Sequence, residues 1–346
     1  MSLPEYSHPA LPFDIAVATS LAGPVTDDPE LLAVRDYLLR EDPEGRRFAT
    51  VLRNTIDQLL DGENTGRYDW RQLHKTEKTH AGTLVEINLQ REFQFKDGQD
   101  MDYSIEGIDV DCKFSQRPYG WMIPPEALDE LCLVVWADDH LSQWSAGLLR
   151  ASREIIAFSE NITRKGNRDR KIVLKKEHRG LVHWLWEKHP LPENLLLHIA
   201  EGTRRAIFDA GASSRRSVGQ ARVSELFRRV QQRRISRTAV RTLAQQKDYM
   251  KRVRYNGGAR TKLRPDGIVI FGDYPSHQEA AERLGIPVPQ EGEFVSVRVA
   301  RARADHGDRP RVRLDGEEWV VADGNDPVEK APLVPETRKG HQSDDD

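Results

Sequence analysis

Cysteine is nearly absent: only Cys112 and Cys132 occur in 346 residues. Two thiols can support neither a disulfide framework nor a zinc site resting on cysteine ligands. Also missing is any apolar run close to the roughly 20 residues that span a bilayer, so no membrane partner is expected. The first residues, Met1 to His8, lack the basic and then apolar segments of a secretory signal. The cytoplasm is therefore the expected location. No internal repeat is visible.

Charge is what the chain has in quantity. The 52 Lys/Arg and 55 Asp/Glu nearly cancel, for a net charge of −3. Between Glu201 and Arg264, however, 18 Lys/Arg stand against 4 Asp/Glu, a local +14 that leaves −17 on the remainder. A block of that size across several predicted elements points to a polyanion, most simply a phosphate backbone. A solvated helical face is the alternative for shorter runs.

Patterning divides the chain into five parts. Residues 1–30, rich in Pro and small residues, are expected to form a flexible arm. Residues 31–178 read as a mixed α/β domain, 179–190 as a linker, 191–326 as a second domain and 327–346 as a disordered tail. In the first domain, helical spacing is carried by Leu31, Val34 and Leu38, then by Phe48, Leu52, Ile56 and Leu59. A third helix is predicted from Thr79 to Phe95. The period then changes to two. Tyr103–Ile105 and Ile108–Phe114 flank the turn dipeptide Glu106-Gly107 and predict a hairpin. The unbroken apolar run Leu131–Trp136 predicts a central strand covered on both faces, and Ser145–Leu149 a further strand.

The hairpin carries the chemistry. Residues two apart on a strand share a face, so Asp111 and Lys113 point one way and Cys112 the other. Asp102 stands at the mouth of the preceding strand and Glu86 on the helix before it. A phosphodiester is an anion, and its hydrolysis needs a cation on a non-bridging oxygen and an activated water. Carboxylates are hard oxygen donors suited to Mg²⁺. Asp102 and Asp111 are accordingly assigned as metal ligands, with Glu86 as an additional one. Lys113 would orient or deprotonate the water and offset charge. Taken alone, D-x(8)-D-x-K is unspecific, because Asp and Lys often alternate on exposed strands. The Glu-bearing helix, the buried strand and the separate basic module add to it. Leu59-Leu60-Asp61-Gly62 looks like the K-x-D-G adenylation motif of DNA ligases, with leucine where the attacking amine belongs. A helix end with both leucines in the core is the simpler reading.

In the basic module, Val223, Leu226, Phe227 and Val230 form one apolar face. Ser236 is placed to cap a second helix with Ala239, Val240, Leu243 and Ala244 inward, and Asp248 to cap a third, ended by Asn256-Gly257-Gly258. This is a helix-turn-helix pattern whose final helix would enter the major groove. Candidate DNA contacts are Arg228, Arg229, Arg237, Arg241, Lys247, Lys251, Arg252, Arg254 and Arg260.

Several segments are less anonymous. Gln72–His80, Gly82–Leu89, Arg91–Phe95, Val110–Ser115, Glu193–Ile199, Gly219–Val230, Met250–Arg254 and Gly257–Arg260 together closely resemble the NaeI family of type II restriction endonucleases. The likeness runs in order over roughly residues 30 to 330 and is weakest in the arm, from Arg150 to His189 and around Asp209 to Val218. It implies a PD-(D/E)xK endonuclease domain followed by a winged-helix DNA-binding domain, with the family's acids and lysine falling on Glu86, Asp102, Asp111 and Lys113. It also implies a GC-rich palindromic site (GCCGGC-like), a second DNA copy as effector, and 5′-phosphate ends. Cutting both strands of a palindrome suggests a homodimer, and restriction requires a cognate DNA methyltransferase. The alternative is a non-catalytic winged-helix regulator with an inert nuclease-like domain.

Overall fold

The computed structural model describes residues 24, 26–154, 156–158, 172–212 and 217–336. The greater part of the expected arm lies outside them. The described chain forms two compact units, one from residues 24–60 and 69–194, the other from 61–68 and 195–336.

The first unit is a mixed α/β layer structure. Its helices Pro29–Glu41, Arg46–Leu60 and Lys75–Phe93 follow the apolar spacing. The Asp28 carboxylate accepts the backbone N–H groups of Glu30 and Leu31, and Pro29 opens the helix where its missing N–H costs nothing. The third helix starts at Lys75, earlier than expected, because the Glu77 carboxylate reaches back to the His74 N–H at 2.8 Å. The second ends at buried Leu59 and Leu60, with Asp61 in a left-handed conformation at φ 47°.

The sheet runs β1-β2-β3-β4-β5-β8. Its strands are β1 (Lys96–Asp97), β2 (Tyr103–Ile105), β3 (Ile108–Ser115), β4 (Leu131–Asp138), β5 (Gln143–Arg150) and β8 (His183–Pro190). A separate ribbon pairs β6 (Ile156–Phe158) with β7 (Ile172–Leu174). Central β4 lies parallel to β3 and antiparallel to β5, and is buried along nearly its whole length. Val110, Cys112 and Phe114 pack with the helices on one side of the sheet; Cys132, Val134 and Trp136 pack with Trp121 and Ile123 on the other.

The expected linker 179–190 is a correction. Residues His183–Pro190 are strand β8, paired with β5, and Leu185 and Trp186 enter the core. Interspersed charges such as Glu187 and Lys188 hide this strand in the sequence, since an edge strand keeps one side wet.

The second unit joins helices Glu201–Asp209, Val218–Arg229 and Arg237–Ala244 to an antiparallel sheet ordered β10-β11-β13-β12. These strands are β10 (Ile268–Phe271), β11 (Glu293–Arg301), β12 (Arg311–Leu314) and β13 (Glu317–Val321), with β9 (Ile235–Ser236) also pairing β11. Ser236 caps its helix through the Ala239 N–H, and Val223, Leu226, Phe227, Val240 and Leu243 are all in one core. The expected third helix is not formed. Tyr249–Arg252 is a single 3-10 turn, and Asp248 pairs with Lys251 at 3.0 Å instead of capping. Val253 is fully buried and Met250 partly, too narrow an apolar stripe to hold a helix, and Gly257 at φ 77° turns the chain.

The expected disordered tail is corrected as far as residue 336. Ala331 and Val334 are buried against the sheet, and the Ala331 N–H donates to the Arg264 carbonyl. Further hydrogen bonds, from Arg264 to the Ala331 carbonyl and from the Val334 N–H to the Tyr255 hydroxyl, hold this Pro-rich segment in place. Among the described residues no helix is long and apolar enough to cross a membrane.

Candidate active site

Strand β2 is three residues long, and its pairing with β3 stops at Tyr103 opposite Val110. From Asp111 onward β3 is laddered on the β4 side, with Asp111 opposite Cys132. On the other side the Cys112 N–H meets the Asp102 carboxylate at 2.7 Å in place of a strand carbonyl. A charge-assisted bond of this kind contributes roughly 1.5–3 kcal/mol. It fixes Asp102 beside the strand edge.

Lys113 gathers the neighbouring acids. Its Nζ lies 2.5 Å from Asp111 Oδ1, 3.6 Å from Asp102 Oδ2 and 3.0 Å from the Cys112 carbonyl. Asp111 is buried, and its second oxygen is 3.8 Å from Cys132 Sγ. Burial pushes the Asp111 carboxyl up to about 6, with Lys113 opposing the rise and Asp102 adding to it. Lys113 itself is held above the ordinary lysine range by Asp111 and Asp102 despite desolvation. Burial carries the Cys112 thiol up to about 12, so it stays neutral among the helix-side apolar groups.

Glu86 comes from the helix Lys75–Phe93. The hydroxyl of buried Tyr103 donates to its carbonyl at 2.8 Å, which seats this turn of the helix over β2. Its half-buried carboxyl is raised by desolvation and then by Asp102, so it shares the field of the cluster. Among the described residues no three His, Cys, Asp or Glu side chains are arranged to hold a metal ion. The donor set nevertheless fits a hard divalent cation: Asp102 and Asp111 offer only oxygens, and Mg²⁺ needs one or two carboxylates besides water and phosphate. Burial is the main cause of the raised Asp111 carboxyl, with Asp102 adding to it, and a bound cation would oppose that rise.

The predicted basic contacts divide on structural grounds. Arg260 is the clear correction. Its side chain is 4 % exposed, paired with Glu336 and donating to the Ile270 carbonyl, so it belongs to the core of its unit. Arg228 and Arg229 are exposed yet share Glu225, and Arg228 also meets Asp266. Arg237 pairs with Asp273, Arg241 with Glu63, and Arg252 donates to Gln246. Lys247, Lys251 and Arg254 lie on the surface around the 3-10 turn. Exposed ion pairs are worth about 0–1 kcal/mol, so a phosphate could displace most of these carboxylates.

Residues that sequence reasoning passed over include Tyr103, Cys132 and Asp109. Period two did put Asp109 on the face of Asp111, but its partners are set by a loop that no spacing describes.

The family described as "Restriction endonuclease NaeI" matches residues 32–330. The type II restriction enzyme NaeI of Lentzea aerocolonigenes is 50% identical over 310 residues, covering 89% of this chain and 95% of that protein. The matched span takes in Glu86, Asp102, Asp111 and Lys113 together with the basic module. On that extent of likeness, the chain belongs to the NaeI family of restriction endonucleases.

Proposed function

We propose that this type II restriction endonuclease hydrolyses both strands of duplex DNA at a specific site, using a PD-(D/E)xK centre made of Asp102, Asp111 and Lys113 with Glu86 beside it. The observation that carries the reading is the convergence of Asp102 and Asp111 on one ammonium group, at 3.6 and 2.5 Å, along the unpaired side of β3. Asp102 and Asp111 would hold Mg²⁺, with Glu86 as a further ligand. When bound, the ion would neutralise charge on a non-bridging phosphate oxygen. Lys113 would orient the attacking water and offset charge as the phosphorus becomes crowded. Departure of the 3′ oxygen would leave 5′-phosphate ends.

The second unit would serve as a winged-helix DNA-binding module, supported by its helix pair in one core, its antiparallel sheet and its basic composition. The resemblance, and not the comparisons, implies a GC-rich palindromic site, a second DNA copy as effector, a homodimer and a host methyltransferase, with the cytoplasm as the location. Supercoiled plasmid incubated with Mg²⁺ or with a chelator tests the core of this. Discrete fragments with a common end sequence and 5′-phosphates are expected only with the metal. Random nicking, or cutting in chelator, would overturn it.

Two smaller effects follow. Asp111 must be ionised to ligate a cation, so at limiting Mg²⁺ cleavage should fall by about tenfold per unit as pH drops below about 6. The linkage has the same origin. A carboxyl raised from 3.8 to about 6 makes the folded chain bind more protons between those values. This group therefore costs stability above about pH 6, and the cost fades as pH falls toward 3.8. A pH–rate profile flat from 7 to 5 would contradict the assignment. Lys251→Ala should weaken DNA binding uniformly across sequences and reduce the salt slope of log K by about 1. Equilibrium binding over a salt series measures it.

A further inference from the structure

Asp109 stands on β3 two residues before Asp111, and the chemistry above gives it no part. Its carboxylate is nonetheless engaged by three consecutive backbone groups: Oδ2 accepts from Gln99 at 3.1 Å, Asp100 at 2.8 Å and Met101 at 3.3 Å, while Oδ1 accepts from Gln99 at 3.0 Å. The residue that follows these three is Asp102. We propose that Asp109 is a positioning residue that sets the 98–102 loop and thereby delivers the Asp102 carboxylate to the strand edge.

The geometry supports a clamp closed at both ends. At one end Asp109 grips the amides of residues 99–101. At the other, Asp102 reaches back to the Cys112 N–H at 2.7 Å and comes within 3.6 Å of Lys113. Between them the chain is folded tightly on itself: a Cβ added at Gly98 would fall 2.3 Å from the Met101 carbonyl oxygen and 2.9 Å from that of Tyr103. The same contacts argue against Asp109 as a cation ligand, because both of its oxygens already face the loop amides. Losing the carboxylate would leave three N–H groups without their acceptor and free the loop that carries Asp102. Partners of this kind, one contact removed from a metal ligand, typically change affinity or activity by roughly 10–100-fold when lost.

The inference rests on the proposed role of Asp102, and the test separates the two. Full-length wild type, Asp109→Ala, Asp109→Asn and Asp102→Ala would be compared by the Mg²⁺ concentration for half-maximal cleavage, DNA affinity without divalent ions, and amide hydrogen exchange at residues 99–101. Asp109→Ala should raise the Mg²⁺ requirement about 10–100-fold, keep DNA affinity and speed exchange at those amides. Asp109→Asn, with one acceptor oxygen, should fall between it and wild type. Wild-type exchange and Mg²⁺ dependence in Asp109→Ala would overturn the proposal. So would faster exchange with unchanged Mg²⁺ dependence, which leaves only a loop clamp. Should the alanine variant not fold, an asparagine variant matching wild type in both readouts overturns it equally. Full cleavage by Asp102→Ala would remove the ligand role itself, whereas an inactive Asp102→Ala beside a normal Asp109→Ala sinks the positioning role alone.

Discussion

Lys113→Ala is expected to reduce cleavage by about 10²–10³-fold or more while leaving DNA affinity near wild type. The size follows from where the ammonium sits. It is bonded to Asp111, lies 3.6 Å from Asp102 and is anchored on the Cys112 carbonyl, so its position is held before any substrate arrives. A preorganised cation of this kind stabilises charge that develops on the phosphate without first having to be ordered. Its removal acts twice, because Lys113 also opposes the rise of the Asp111 carboxyl. Without it, burial and Asp102 would push that group further up and weaken any cation site. DNA affinity, by contrast, is expected to come mainly from basic groups outside this centre. Single-turnover cleavage at saturating enzyme, set beside equilibrium binding, measures both quantities. A rate within tenfold of wild type would show that the reacting centre lies elsewhere.

Arg260→Ala should act on stability instead, lowering it by about 3 kcal/mol. As a member of a strongly basic segment, Arg260 reads as a phosphate contact. The folded chain buries it to 4 % exposure, between the Ile270 carbonyl, the Glu336 carboxylate and the rings of Tyr255 and Tyr274. Nearby, His277 is fully buried and accepts the Gly272 N–H through Nδ1. Burial and then Arg260 bring its pKa down to about 4, so it stands neutral beside the guanidinium. Deleting the arginine strips a buried carbonyl and a partly buried carboxylate of their partner, and breaking such a pair costs about 3–5 kcal/mol. Glu336 keeps 35 % exposure, which favours the lower end. Thermal or urea unfolding measures the loss. The salt slope of DNA binding should not change, and a decrease of one unit with normal stability would restore Arg260 to the interface.

Much of the centre was legible because its geometry is local. Asp111 and Lys113 share a face, and Cys112 takes the other, simply because a strand has period two. Glu106 and Gly107, at φ 52° and 81°, make the tight turn that their dipeptide suggests. Leu131–Trp136 is apolar without interruption because helices cover β4 on one side and the Trp121 cluster on the other. The edge strand β8, the docked 327–336 segment and the short 3-10 turn at Tyr249 were illegible. Each depends on what distant chain packs against it, and mixed or charged composition conceals the contact.

Local patterning by itself determined the long amphipathic helices, the hairpin and the face on which an acid and a lysine alternate, since these follow from backbone periods and turn preferences within a few residues. Tertiary structure decided the rest. It stopped β2 at Tyr103 so that Asp102 could take a strand N–H, set Asp109 over a loop, and drew Arg260 inward. Those outcomes turn on which hydrogen-bonding groups are left without a partner once remote segments have packed, and no spacing along the chain encodes that.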